Sequence, residues 1–240
     1  MTQLTNHLGQ PIGEPVPGWT ARPRPPRTPM EGRHCRVVAL AAAAHADALH
    51  RAYAADTEGR NWTYLPYGPF ASAEDYAGFV EWAQSSENEV FYAIEALPGG
   101  QPIGVASYLR IDPDMGCIEV GHLSYAPALQ RTVASTEAMY LMMRRVFDEL
   151  GYRRYEWKCD ARNAASRSAA ERLGFTFEGV FRQHMVVKGL NRDTAWFSMT
   201  DGEWPVIRGA FEAWLARENF DAGARPQRPL AELRAEIGAI

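Results

Sequence analysis

The stretch from Glu119 to Phe175 holds most of the side chains in this chain that could do chemistry. Ser135 and Thr136 open a helix shortly after a strand. N–H groups without partners converge in such a first turn, and the positive end of the helix dipole adds to them. The pattern makes a seat for a pyrophosphate. The preceding strand carries Glu119, His122 and Tyr125: a carboxylate, an imidazole and a phenol. A positioned carboxylate or imidazole can take a proton from a reacting group, a task worth ~10²–10⁴ in rate. Strand alternation sends Glu119 and His122 to opposite faces, so a regular strand cannot bring both to one site. A β-bulge near Gly121 would cancel that exclusion. Each also has a purely structural reading, as a satisfied buried carboxylate or a core histidine.

The elements that must position these groups follow from pattern. Cys117 to Tyr125 reads as a strand. The helix from Ser135 to Leu150 buries Met139, Met142, Val146 and Leu150 and stops at Gly151. Arg153 to Asp160 is a further strand, and Ala164 to Leu173 a helix ended by Gly174. Upstream, Arg36 to Leu40 reads as a strand and Ala41 to Ala55 as a helix of strong helix formers. Ser72 is an N-cap with Asp75 three residues on, ahead of an apolar face of Tyr76, Phe79, Val80 and Ala83. The loop NWTYLPYGPF between these helices is either core packing or the wall of a substrate pocket. Val90 to Leu97 and Pro102 to Ile111 form a hairpin across Pro98-Gly99-Gly100, and Asp112 to Gly116 is a second turn. Phe175 to Val187 and Thr194 to Met199 pair around KGLNRD, Glu203 to Phe220 reads as a last helix, and the remainder as a polar tail.

Composition narrows the class. A length of 240 residues suits one domain with extensions or two small ones, and a net charge of −4 argues against a broad nucleic-acid footprint. No apolar run approaches the ~20 residues that span a bilayer. The opening MTQLTNHLGQPIGEP lacks a secretory pattern, so the expected location is the cytoplasm, with no membrane partner. Cys35, Cys117 and Cys159 are odd in number and without metal-like spacing, so no metal is expected. They read as reduced core residues, with a site-lining thiol the alternative for Cys159. Residues 1–32 hold seven prolines, Pro11, Pro15, Pro17, Pro23, Pro25, Pro26 and Pro29, and should be extended and partly polyproline-like. Such an arm lies over its own domain, over a neighbouring subunit, or serves as a Pro-rich ligand.

Four pieces, IEVGHLSYAP, QRTVASTEA, the long helix and NAASRSAAERLGF with its NxxSxxxxExLGF spacing, make residues 33–200 resemble the GNAT superfamily of acyl-CoA-dependent N-acetyltransferases. The RimJ/RimL-like branch matches most closely. The resemblance implies an α/β chain with the GNAT acyl-CoA N-acyltransferase fold: a mixed twisted sheet of about seven strands flanked by helices. It also implies a gap between the strand near Val120 and the strand near Trp157. The chain then divides into a Pro-rich arm (1–32), the acetyltransferase domain (33–202) and a C-terminal helix and tail (203–240).

By the same resemblance acetyl-CoA is the co-substrate. Main-chain groups of Leu123, Ser124 and Tyr125 would hold its pantetheine arm. Gln130 opens the phosphate loop, and amides from Arg131 through Thr132, Val133, Ala134, Ser135 and Thr136 would hold the pyrophosphate. Asn163 would meet the arm or a water, and Ser166 would sit by the thioester sulfur. The family's loop reads Gln/Arg-x-x-Gly-x-Gly/Ala, whereas Val133 and Ser135 stand in place of the small residues. Glycine there tolerates unusual φ and close backbone approach. Arg162, Arg167 and Arg172 supply a CoA phosphate contact or only a solvated face.

The reaction so implied moves an acetyl group to a primary amine, on a small molecule or a protein N-terminus, by direct attack. Alkyl amines are mostly protonated near neutral pH, so a base is needed: Glu119, directly or through water, with His122 as competitor. Backbone amides would stabilise the oxyanion. Ser166 would hydrogen-bond the leaving thiolate, and Tyr125 could give it a proton. Dimers are common in the family, so a homodimer is an expected assembly. Two other classes compete: a catalytically weak acyl-CoA-binding module, and an interaction scaffold built on the Pro-rich arm.

Overall fold

The computed structural model describes residues 4–239 of the 240. Its elements are β1 (Met30–Glu31), β2 (Cys35–Ala39), α1 (Ala42–Tyr53), α2 (Ala73–Ser85), β3 (Val90–Ala96), β4 (Gln101–Asp112), β5 (Cys117–Tyr125), α3 (Val133–Arg144), β6 (Arg154–Asp160), α4 (Ala164–Leu173), β7 (Thr176–Val187), β8 (Leu190–Thr200), α5 (Trp204–Leu215) and α6 (Leu230–Gly238). The strands form one eight-stranded sheet in the order β1-β2-β3-β4-β5-β6-β8-β7. β5 and β6 are parallel neighbours, and every other pair is antiparallel. The eighth strand is β1, a two-residue piece at the end of the Pro-rich arm.

Because strand side chains alternate, each strand feeds two layers. Tyr92, Tyr108, Ile118, Val120, Tyr155 and Trp157 join α3, α4, α5 and α6 in the larger core. Phe91, Ala93 and Val105 join α1 and α2 in the smaller one.

Two irregularities shape the centre of the sheet. The β5–β6 ladder runs from Cys117↔Arg154 to Val120↔Trp157 and stops, although both strands continue. Beyond it the edges of Gly121 to Tyr125 and of Lys158 to Asp160 face each other unpaired. Between β4 and β5, Val105↔Ser124 is followed by Ser107↔Gly121, so β5 carries an extra residue there. This is the bulge that Gly121 invites. His122 sits in it with φ 51°.

The helix ends show their causes. Ser72 accepts from Asp75 N at 3.0 Å, and Asn163 from Ser166 N at 3.0 Å. Gly174, with φ 104°, closes α4 in a conformation that favours glycine. α3 begins earlier than Ser135: Thr132 is its N-cap, and its Oγ1 accepts from Ser135 N at 3.1 Å. It continues into a π-type turn over Arg145–Glu149.

From Trp19 onward the arm lies on its own domain. Trp19 Nε1 donates to Asp114 O, Arg24 to Glu87 O, and Tyr92 Oη to Pro26 O; Arg145 reaches back to the Thr28 and Pro29 carbonyls. Gly116 (φ 64°) leaves room for Trp19, whose ring atom would stand 2.3 Å from an added Cβ. The expected polar tail is instead structured. α6 buries Leu230 and Leu233 in the main core, and Arg234 caps the C-terminal carbonyls of α4. Two leucines three positions apart are too short a signal among the charges of that segment. The helix expected over Glu203 to Phe220 ends at Leu215. The three cysteines are free, with Cys35 and Cys159 buried. Among the described residues no helix is long and apolar enough to cross a membrane, and no His/Cys/Asp/Glu group could hold a metal ion.

Candidate active site

The splayed ends of β5 and β6 open a cleft, and the expected residues divide about it: Tyr125 and Ser166 lie with the main core, Glu119 on the opposite face. On the α3 side lies the helix start expected to seat a diphosphate. The N–H groups of Arg131, Val133 and Ala134 have no acceptor among the described residues, while those of Leu129, Gln130 and Thr132 are bonded within the loop. The left-handed φ falls on Arg131 (60°), not on Val133 or Ser135, which are the first and third residues of α3. Both are therefore helical and need no glycine. The Val133 side chain packs against the main core, and Ser135 is buried, its Oγ donating to Thr132 O at 2.8 Å. Arg172 reaches this turn from α4, donating to Thr136 Oγ1 at 3.2 Å, while Arg167 is spent on Ala161 O.

The end of β5 is clamped. Ser124 O accepts from Tyr53 Oη at 2.7 Å, and Ser124 Oγ from Asn61 Nδ2 at 2.7 Å. The Tyr125 carbonyl accepts from Gln130 Nε2 at 2.9 Å, so Gln130 folds back on the strand instead of facing the seat. Tyr125 Oη is buried without a partner, and burial keeps its proton on well above the usual range. Leu123 lies partly buried beside the same core. Across the gap, Asn163 Oδ1 is the α4 cap. Ser166 Oγ accepts from Trp157 Nε1 at 3.0 Å, leaving its own hydrogen free to be donated. Its near neighbour is the Cys159 thiol, which burial pushes up and Ser166 pulls down.

The opposite face is ionic. Glu119, 3 % exposed, holds Arg110 Nη1 at 2.7 Å and Lys158 Nζ at 2.9 Å. Lys158 also holds Glu156 at 2.7 Å and sits 3.8 Å above the Trp196 ring. Arg154 then joins Glu156 to Glu178. Burial pushes Glu156 up, but Lys158 and Arg154 outweigh it and hold its carboxyl below the usual value. The bulge places His122 on this face, against Phe91 and Tyr67. The aromatic loop closes over the cleft: Tyr64 Oη donates to Arg162 O, and Lys188, at the β7–β8 turn, to Trp62 O at 2.8 Å. Part of that loop is core as well, since Trp62 is 5 % exposed. Sequence reasoning misses Lys158, Tyr67 and Glu89. A lone lysine in a strand is the one readable hint.

Residues 36–176 match the acetyltransferase (GNAT) domain family. A GCN5-related N-acetyltransferase from Brucella melitensis is similar at 45 % identity and TM-score 0.90, over 92 % of this chain and all of that one. A probable acetyltransferase of the GNAT family from Chromobacterium violaceum is similar at 41 % and TM-score 0.76, over 82 % of this chain and 98 % of that one. The microcin C7 self-immunity acetyltransferase MccE, solved with acetyl-CoA and AMP, shares the fold at 20 % identity and TM-score 0.62, over 70 % of this chain and 93 % of that one. No curated protein matches the chain. With its splayed strands, open helix N-terminus and matched domain, the chain belongs to the GNAT acetyltransferase family.

Proposed function

We propose that the protein transfers an acetyl group from acetyl-CoA to a primary amine, as a RimJ/RimL-like member of its family. One observation carries this: the β5–β6 ladder ends at Val120–Trp157, and three partnerless N–H groups open α3 beside the gap. That is a seat for a diphosphate next to a slot for an extended arm. The orphaned Tyr125 hydroxyl fits the same ligand, because a buried donor without a partner costs stability unless something bonds it. The MccE complex supports acetyl-CoA as that ligand, which supplies the activated acetyl group.

The chain's residues then divide the work. Amides of Arg131, Val133 and Ala134 bind the diphosphate, with the charges of Arg131 and Arg172 nearby. Main-chain groups of Leu123 and the N–H of Tyr125 hold the arm, while Ser124 serves as a clamp. Ser166, already placed beside a sulfur, donates its hydrogen to the leaving thiolate; Tyr125 is a second donor. Glu119 is committed to two cations in a buried site, and taking a proton there would break both ion pairs. In this reading it holds the charged face together, and the amine's proton goes elsewhere.

CoA release measured over an amine library tests the reading. Turnover with at least one amine, lowered about tenfold or more in Ser166→Ala, is expected; tight acetyl-CoA binding without turnover across the library would point to the binding-module alternative.

A further inference from the structure

His122 is the only non-glycine residue of β5 with a left-handed backbone, and the bulge that imposes it turns the ring onto the charged face. The ring lies parallel to Tyr67, 5.6 Å between centroids with an interplanar angle of 10°. Nδ1 is 3.1 Å from Tyr67 Oη, and Nε2 is 3.5 Å from Glu89 Oε1. Burial pushes the imidazole below its ordinary value; Glu89 and Glu119 pull it up, and Arg110 pushes it down. It is therefore neutral near pH 7. Glu89 Oε1 is an acceptor, so it favours the ring hydrogen on Nε2; Nδ1 then accepts from the Tyr67 hydroxyl, whose proton burial keeps on. Both ring nitrogens have a partner. Such an imidazole cannot take a proton from outside; it can only pass one along. Tyr67 belongs to the aromatic loop that closes the cleft, whereas the Glu89 side chain is 22 % exposed at the rim. The line runs from the aromatic loop to solvent.

We propose that Tyr67, His122 and Glu89 form a proton exit line from the acceptor amine to solvent. An ammonium N–H bond breaks and its proton goes to Tyr67 Oη. The phenol's own proton moves to His122 Nδ1, and the Nε2 proton moves to a Glu89 oxygen. The amine and the carboxyl end neutral, the imidazole ends as its other neutral tautomer, and solvent resets the line. Only Tyr67 touches the acceptor; His122 and Glu89 act through it. The inference rests on the acetyl-transfer reading.

The test is kcat/KM against pH for the parent, His122→Gln, Tyr67→Phe and Glu89→Gln, with thermal shifts to confirm folding. Both His122→Gln and Tyr67→Phe should lose about 100-fold near pH 7, with the loss shrinking as pH nears the acceptor amine's own pKa, about 8 for an α-amino group and about 10 for an alkyl amine. Glu89→Gln should behave likewise. A loss that is uniform with pH, or a parent-like profile in His122→Gln, overturns the line. A ¹⁵N spectrum of the His122 ring tests the line without turnover. An Nε2-protonated tautomer that shifts in Tyr67→Phe supports the hydrogen-bonded line itself, whereas failure of every amine to react sinks the acetyl-transfer reading and the proton transfer with it. An Nδ1-protonated ring, or one indifferent to Tyr67→Phe, removes it.

Discussion

The two faces of β5 and β6 differ by one residue in sequence and by almost everything in chemistry. Ile118, Val120, Tyr155 and Trp157 point into a core of methionines and aromatic rings; Glu119, Glu156 and Lys158, each adjacent to one of them, point into an ion-pair network. The apolar face is held by area removed from water and tolerates an orphan such as Tyr155 Oη. The ionic face acts where the ladder fails. Lys158 is the first residue of β6 past the last pair, and its reach to Glu119 ties the strands together just as their backbone bonds run out. The splay is thus braced from the other side.

Changes on the two faces should differ in size. Lys158→Met, in a side chain only 4 % exposed, leaves Glu119 and Glu156 short of a buried partner and should cost about 3–5 kcal/mol in urea unfolding; a cost below about 1 kcal/mol would mean the network is not a brace. Leu233→Ala, the apolar counterpart on α6, should cost about 2–3 kcal/mol. Acid acts on the ionic face through His122 and elsewhere through His34 and His45, all held below the ordinary histidine value, chiefly by burial. The unfolded chain then takes up protons that the folded one refuses, so stability should fall as pH drops below about 6.5. A flat stability curve between pH 7 and 5 would contradict that assignment. Tyr155→Phe removes a buried hydroxyl with no partner and should be neutral or slightly stabilising. A loss above about 1 kcal/mol would reveal a hidden partner.

What the sequence shows and what it hides divide along the same line. β5, α4 and the Ser72 cap are readable because alternation and capping are local, whereas the gap at Val120 is expected only through the family resemblance. Sequence puts the start of α3 two residues late, since Thr132, Ser135 and Thr136 are all plausible caps and only the Thr132–Ser135 bond decides. Glu119 is legible as a strand carboxylate. Its cations are not, because Arg110 and Lys158 come from neighbouring strands whose register no single sequence states. Regular alternation parts His122 from Glu119, and only the paired strand β4 reveals the bulge that brings the ring back. The short helix α6 hides among charges.

Calorimetric titration of acetyl-CoA into Val133→Pro and Val133→Ala addresses the central claim most directly. Proline at the first helical position, after an extended Thr132 (φ −96°, ψ 165°), deletes one N–H of the seat while keeping the helix. Alanine keeps that N–H. Affinity should fall about tenfold or more in Val133→Pro and stay near the parent's in Val133→Ala. Equal affinities in all three proteins would show that the diphosphate does not bind at the start of α3.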